Sequence, residues 1–600
     1  MSSLTIPRLF AEQASRLSQQ PLFWVRQHGR YQPITWAQAH AAVQALSAFL
    51  VTTPVNPGDR VVLLSENRPE WGLADLAVQS LGGWTVPIYP SLTAADVLTI
   101  VRDCEPVVCI ASTAEQLQKL RTIRPQVSSI RRLIVMDPSP LEQNHELTWA
   151  QALEQGRAEQ PRLRELLVQR VAHVKPEDTA TLIYTSGTTG EPKGVMLSHR
   201  NFLSNVQACL KAIPIGSDDL HLSFLPLSHV FERMAGWYLM MMVGASVAYA
   251  ESMDSLPQNM LEIRPTVMLG VPRFFEKLYA KIQEGINHAP LPKRALAQWA
   301  IRTGQQASPF RLAQRPLPGG LRLRLAIADR LVFHKLHQRL GGRLRFFVSG
   351  SAPLAKTIAE FFYSAGIIIL EGYGLTETSP VITVNRLDAL KFGSVGRPIE
   401  DVEVKLAEDG EILTRGPHIM QGYYRKPQET QDVITEGWLH TGDIGTIDQD
   451  GFVFVTDRKK DLIKTAGGKF VAPQKLENLF ITDPYIAQAF VYGDREPYCV
   501  ALIVPKFQPL MEHVRDWGMS FASPQQLARD ETIQQFIWNR VQHRQRDLAS
   551  FEQVKAIALL DREFTQATGE LTPTLKAKRA AIAARYQDVL RRLYEQPSPP

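Results

Sequence analysis

Apolar positions in the first third of the chain fall into short runs separated by longer amphipathic stretches. Arg60 to Ser65 reads as a strand introduced by the turn residues Pro57-Gly58-Asp59. A helix is predicted from Pro69 through Ser80, opened by proline and stopped by Gly82-Gly83. Trp84 to Tyr89 is another strand, followed by a helix from Thr93 to Asp103. Val107 to Ile110, a helix near Ala114 to Thr122, and Leu133 to Met136 continue the alternation. Strands alternating with helices of this length predict parallel sheet with helices on its faces. Ala180 to Tyr184 and Leu344 to Val348 are further buried-strand candidates, each running into a Gly/Ser-rich loop. Ligands in open α/β sheets sit beyond the carboxyl ends of strands, so chemistry is expected at those loops. Around Asp409-Gly410 the runs Val402 to Leu406 and Glu411 to Thr414 have the signature of a hairpin. From Arg458 onward the chain becomes lysine-rich and then returns to mixed α/β character, which predicts a domain boundary there.

Length and composition narrow the function classes. A chain of 600 residues accommodates two or three domains. Hydrophobic residues at 44% and charged residues at 21% are the balance of a globular chain. A formal charge of +6 over this length does not point to a nucleic-acid binder. The four cysteines show no C-x-x-C pair and no zinc-ligand spacing, which fits a reduced, cytoplasmic setting. Met1 to Gln20 lacks a basic start followed by an apolar core, so no secretory signal is expected. The uncharged run Met234 to Ala250 is shorter than a membrane span and contains Gly236 and Gly244. It is predicted to be a buried helix entering a strand.

The densest chemistry is Tyr184-Thr-Ser-Gly-Thr-Thr-Gly-Glu-Pro-Lys-Gly194. Glycines let the backbone turn its N–H groups toward an anion, hydroxyls add donors, and Lys193 adds charge. The combination suits a polyphosphate, although it lacks the Walker A spacing. Five further segments accompany it in order: Leu225 to Arg233, Ser349-Gly-Ser-Ala-Pro353, Gly372-Tyr-Gly-Leu-Thr-Glu-Thr378, Thr441-Gly-Asp443, and Asp457-Arg-Lys-Lys-Asp461 with Ala466 to Pro473.

Together these segments resemble the adenylate-forming (ANL) superfamily of acyl-CoA synthetases, luciferases and peptide-synthetase adenylation domains. The resemblance extends from residue 5 to 585, and the wording of the second and last segments is most similar to the long-chain fatty acid–CoA ligase branch. It implies a large N-terminal α/β domain (1–457) of stacked mixed and parallel sheets with a small β-subdomain. A smaller, mobile α+β C-terminal domain (458–600) would follow. The implied reaction joins a fatty acid to CoA in two steps, through an acyl-AMP intermediate with release of pyrophosphate. The first step brings carboxylate against phosphate. At ~4 Å and an effective dielectric of ~20 that repulsion is roughly 4 kcal/mol, about three decades in rate if uncompensated. ATP, Mg²⁺ and CoA are the implied cofactor and co-substrates.

The resemblance also implies roles residue by residue. Thr185, Ser186, Gly187, Thr188, Thr189, Gly190 and Lys193 would hold the β- and γ-phosphates. Thr376 would contact phosphate, and Glu377 would ligate Mg²⁺. Tyr373, between Gly372 and Gly374, would stack on adenine opposite a wall of Gly350, Ser351, Ala352 and Pro353. Asp443 and Arg458 would bind the ribose. His229 would stand at the acyl-pocket entrance without acting as a base, since a fatty carboxylate is already ionised at pH 7. Lys576 would bridge carboxylate and α-phosphate. Lys460 would be the hinge, and Gly467-Gly468 would flank the path of the pantetheine thiol.

Two other outcomes stay open at this stage: transfer to an acyl carrier protein, or release as acyl-AMP, in place of CoA; and a non-catalytic nucleotide-binding member. The presence of Lys193, Glu377, Asp443, Arg458 and Lys576 argues against the last. Lys293 to Arg345 carries twelve lysines and arginines against the single acid Asp329. That segment is either a solvated face or a peripheral contact with anionic lipid on the inner face of the membrane.

Overall fold

The computed structural model describes residues 3–186, 192–572 and 576–595. Two large sheets carry the first three quarters of the chain. In an eight-stranded sheet, Arg60–Leu64, Trp84–Ile88, Val108–Ala111, Arg132–Val135, Glu146–Thr148 and Thr179–Ser186 are parallel, and Pro192–Ser198 and Gly422–Tyr423 close one edge antiparallel. A nine-stranded sheet has a parallel centre that includes Leu220–Ser223, Ser246–Tyr249, Val267–Gly270, Phe346–Ser349 and Ile368–Gly374. The expected strand–helix alternation is therefore present, with Pro69–Ser80 at the bounds predicted.

Burial explains why these strands read as continuous apolar runs. Val61 and Leu63 enter one core and Val62 and Leu64 another, so both faces of the strand are covered. The nine-stranded sheet shares the first core through Val267, Leu269, Phe346 and Val348, and turns Met268 and Phe347 to a third. The common core also takes in Trp36, Trp71 and Trp237. Close helix packing contributes: a Cβ at Gly156 in the helix Trp149–His173 would lie 1.8 Å from the Ala45 carbonyl oxygen of the helix Trp36–Thr52.

The run after Met234 is a helix entering a strand, as predicted, but its first part is a π-helix, Glu232–Tyr238, followed by the α-helix Leu239–Val243 and the strand Ser246–Tyr249. A fully buried network holds it. Arg233 pairs with Asp75 and donates to the Thr181 hydroxyl at 2.7 Å and to the Tyr238 hydroxyl at 2.9 Å. Glu232 meets His221 at 2.7 Å, and only glycine fits at 236, where a Cβ would lie 2.5 Å from that carboxylate.

The predicted hairpin is Glu403–Leu406 with Glu411–Arg415, part of a five-stranded sheet that includes Trp438–Ile447 and Val453–Arg458. Beyond it stand the pair Ile463–Lys464 and Phe470–Val471, then a three-stranded sheet of Ile486–Tyr492, Cys499–Pro505 and Val554–Leu559 under helices. That sheet has its own two cores, split between alternate residues of Cys499–Pro505. Among the described residues, no helix is long and apolar enough to cross a membrane.

Gly156→Ala should lower the urea midpoint of the large domain by an amount equivalent to about 3 kcal/mol, because backbone rather than a flexible side chain blocks the new methyl. An unchanged midpoint would contradict the helix contact described.

Candidate nucleotide and acyl site

One cavity of about 2060 Å³ opens between the two large sheets, the small β-sheet and the C-terminal part. Its polar wall is built at strand ends, as the sheet rule predicts. Gly350, Ser351, Ala352 and Pro353 follow the strand Phe346–Ser349 and line the cavity, with Ser351 held at φ 73°. Gly372, Tyr373 and Gly374 end the neighbouring strand Ile368–Gly374 on the same wall. Gly374 cannot be replaced cheaply, since a Cβ there would sit 1.7 Å from the Pro380 carbonyl oxygen.

Asp443 is buried at the register position opposite Arg458, and its two oxygens are engaged separately. Tyr373 donates its hydroxyl to one at 2.7 Å and Arg458 approaches the other at 3.1 Å. Each carboxylate oxygen keeps a second acceptor site, so the acid can still receive ribose hydroxyls. Burial by itself would lower the Arg458 pKa, but Asp443, Tyr373 and Glu377 outweigh it and hold the guanidinium above its usual range.

Thr376 and Glu377 open a short 3₁₀ turn, Thr376–Thr378, facing the cavity. Glu377 accepts a hydrogen bond from the Tyr423 hydroxyl at 2.9 Å. Among the described residues no group of three or more potential ligands forms a metal cage. A lone carboxylate in a polar cleft fits Mg²⁺, which keeps water and phosphate oxygens as most of its ligands. Thr185 and Lys193 face each other across the antiparallel pair Thr179–Ser186 and Pro192–Ser198 and both line the cavity. Lys193 pairs with Glu429 and lies 5.1 Å from the Tyr423 ring centre. Gly187, Thr188, Thr189 and Gly190 lie outside the described residues, and for Ser186 only its backbone pairing with Pro192 is described.

Part of the cavity lining is apolar, contributed by Ile213, Ile215, Met234, Ala235, Leu239 and Val348. His229 lines the same cavity, and its Nδ1 accepts from the Phe231 N–H at 3.2 Å, which places the ring proton on Nε2. Burial, with Lys576 nearby, lowers its pKa to about 3. It is therefore a neutral donor.

Lys576 reaches the same cavity from the C-terminal part. Solvent meets it along the cleft while protein surrounds it elsewhere. That burial, with Arg458 and Lys460 beside it, outweighs Asp443 and Glu377 and lowers its pKa to about 8. Lys460 also lines the cavity. Gly467 and Gly468 do not: they are exposed in the turn between Ile463–Lys464 and Phe470–Val471.

Sequence reading missed four contributors. Tyr423 and Glu429, to which the sequence reading gave no role, organise Glu377 and Lys193. Glu371 lines the cavity with its carboxyl pushed up to about 8 by burial, although backbone N–H groups of Leu354 and Gly393 oppose the shift. Arg273, from the large domain, donates to the Ala487 carbonyl at 3.0 Å and lies 3.7 Å from Glu563, bridging to the C-terminal part. No sequence signal marks these last two, because their partners are remote in the chain.

With this geometry in place, comparison with known proteins is informative. The AMP-binding enzyme family matches residues 10–424, and the AMP-binding enzyme C-terminal domain matches 460–598. The chain belongs to the AMP-binding enzyme family. It is 35% identical over 577 residues to the long-chain-fatty-acid–CoA ligase FadD15 of Mycobacterium bovis, covering 95% of this chain and 93% of that protein. It is 32% identical to the peroxisomal long chain acyl-CoA synthetase 7 of Arabidopsis thaliana, covering 95% and 82%. The crystal structure of the anthranilate CoA ligase AuaEII in complex with anthranoyl-AMP superposes with a TM-score of 0.74 at 19% identity, covering 98% of this chain and 99% of that one. The α/β fold expected from the sequence, with a large sheet domain and a smaller C-terminal one, is the fold of this family.

Because Lys576 is an ammonium below about 8 and neutral above it, affinity for ATP should fall about threefold or more as pH rises from ~7 to ~9. Equilibrium binding should show this slope in the native chain and a flat profile in Lys576→Ala. The same slope in both would remove the lysine from the nucleotide site.

Proposed function

We propose that this chain is an AMP-forming long-chain fatty acid–CoA ligase, converting ATP, fatty acid and CoA to AMP, pyrophosphate and acyl-CoA through an acyl-adenylate. One observation carries the reading: a single cavity is lined both by the polar strand-end residues and by an apolar set, with His229 and Lys576 in the same lining. A fatty chain held against the apolar lining would bring its carboxylate into the same cavity as His229 and Lys576. His229 donates a neutral N–H, while Lys576 and Arg458 offset the charge that carboxylate and phosphate bring together. Thr185 to Gly190 and Lys193 would hold the β- and γ-phosphates, Thr376 a phosphate oxygen, and Glu377 would supply the protein ligand to Mg²⁺. Tyr373 and the 350–353 wall would enclose adenine.

The domains would divide at 457/458, with Lys460 as hinge. In the arrangement described Lys576 occupies the cleft and Gly467-Gly468 is outside it, which supports assigning this arrangement to adenylation. Rotation about Lys460 would exchange the two for thioester formation. A cytoplasmic setting with peripheral contact on the inner membrane face is part of the same reading.

Purified protein given ATP, Mg²⁺ and a ladder of fatty acids, with and without CoA, tests it. Thioester in the CoA lane is expected. Pyrophosphate without thioester would favour a carrier-protein acceptor or acyl-AMP as product, and no pyrophosphate would favour a binding protein. The half-reactions separate the roles. Lys576→Ala should abolish acyl-AMP formation yet keep thioester formation from supplied acyl-AMP. Arg273→Ala, which loosens the bridge to Ala487 and Glu563, should slow acyl-AMP formation by about tenfold or less and leave the second half unchanged. Equal loss of both halves in either variant would contradict the rotation.

A further inference from the structure

The basic segment between the strands Val267–Gly270 and Phe346–Ser349 is a layer of helices: Pro272–Asn287, Leu291–Leu312, Gly319–Ala328, a π-helical turn Asp329–Phe333, and His334–Arg339. The helix Gly319–Ala328 and its π extension have an inward face that is fully used. Leu321, Ala328 and Phe333 are buried, the last two against Ala300 and Ala365. An amphipathic surface helix should be polar on the opposite side. This one is not: Leu323, Ile327 and Leu331 are 64%, 43% and 45% exposed. Their four-residue spacing sets them in one line, since the wider π turn keeps Leu331 over the face of Ile327. Leu291, 79% exposed, opens the preceding helix.

Charge surrounds this ridge. Arg322, Arg324 and Arg330 are its exposed immediate neighbours, with Lys293, Arg294, Arg315, Lys335, Arg339 and Arg343 exposed on the same layer. Among the described residues none of these nine has a carboxylate within ion-pair distance; in the segment only Arg345 does, with Asp219 at 2.8 Å. Outside residues 293–345 the chain is net negative, so its positive surplus is concentrated here. The platform is firm, because Gly304 packs so closely on the helix Lys356–Ser364 that a Cβ would lie 2.1 Å from the Ser364 carbonyl oxygen. It also adjoins the cavity: the helix Pro272–Asn287, which contributes Arg273, Glu276 and Lys277 to the lining, is joined to it by His288 to Pro290 alone.

We propose that Leu323, Ile327 and Leu331 insert into the interface of an anionic lipid bilayer while Arg322, Arg324 and Arg330 engage its headgroups. Aliphatic side chains ringed by unpaired arginines match a surface that is negative outside and hydrocarbon beneath. A nucleic acid would satisfy the arginines and leave the leucines in water. The assignment rests on the acyl-substrate reading only for its purpose, the collection of a chain dissolved in the membrane; the surface itself is independent of it. Sedimentation with phosphatidylglycerol-containing and pure phosphatidylcholine vesicles tests the surface, using the full chain. Preferential binding to the anionic vesicles is expected. Leu323→Ser/Ile327→Ser/Leu331→Ser should reduce it about tenfold at fixed salt, and Arg322→Gln/Arg324→Gln/Arg330→Gln about as much. Thioester formation from a medium-chain acid without vesicles should be unchanged in both. Equal partition of the native chain onto both vesicle types, or full binding by either variant, overturns the proposal. Vesicle binding without any thioester activity would sink the ligase reading and leave the surface standing.

Discussion

Cations that are to meet an anionic substrate must be held still, and what holds a cation still is usually an anion. The cavity resolves this conflict by partial pairing. Arg458 is set by Asp443, but Tyr373 takes the other oxygen of that acid, so neither collapses fully onto its partner. Lys193 is held by Glu429, whose side chain is about one-third exposed, and a polyphosphate in the cavity would compete for the ammonium. Among the described residues no acid pairs with Lys576; burial and neighbouring cations lower its pKa to about 8. Charge is thus available in the cavity because it is incompletely neutralised there, which is the preorganisation that the proposed electrostatic catalysis would require.

That arrangement depends on a backbone that does not move. The segment carrying His229 runs directly into Glu232 and Arg233, whose partners Asp75, Thr181 and His221 lie on other elements, and all five side chains are buried. Removing one member of such a network strands a charge at a cost of about 3–5 kcal/mol. Replacing the whole network with apolar side chains would cost less stability, so a stabilising role alone does not explain it. Its place does: it sits on the π-helix segment that brings Met234, Ala235 and Leu239 to the cavity lining.

The parts of this site that were legible in the sequence are those where chemistry and local conformation share one segment. Gly350 to Pro353 and Gly372 to Glu377 each combine a strand end with the candidate side chain, and Thr441 to Asp443 sits within the strand Trp438–Ile447, so a short string carries both signals. The alternation of buried strands and helices was equally local. What could not be read depends on contacts across the fold. Glu429 matters only because the edge strand Gly422–Tyr423 brings its helix beside Lys193. Arg273 matters only because the C-terminal part docks against its helix. The π-helix was missed for another reason: its composition is that of any buried helix, and the tertiary partners of Glu232 and Arg233 lie on other elements. Gly467-Gly468 was legible as a loop, but a sequence cannot say on which side of a rotation the loop is found.

In the proposed reaction the docking of the C-terminal part and the binding of nucleotide would be linked by the same lysine. Among the described residues the polar contacts joining the two parts near the cleft include Arg273 to Ala487 and Glu563, the Gln474 N–H to Asp457, Arg458 to Asp443 and Lys459 to Glu411. Burial, with Arg458 and Lys460 beside it, disfavours the charge of Lys576. A bound triphosphate would reverse that sign, since an anion between three cations favours all of them. By linkage, whatever Lys576 contributes to holding nucleotide it contributes equally to holding the C-terminal part in place. In the proposed reaction, departure of pyrophosphate removes most of that negative charge and restores the repulsion. Release of the first product would then weaken the arrangement that made it, with no further signal needed to start the rotation.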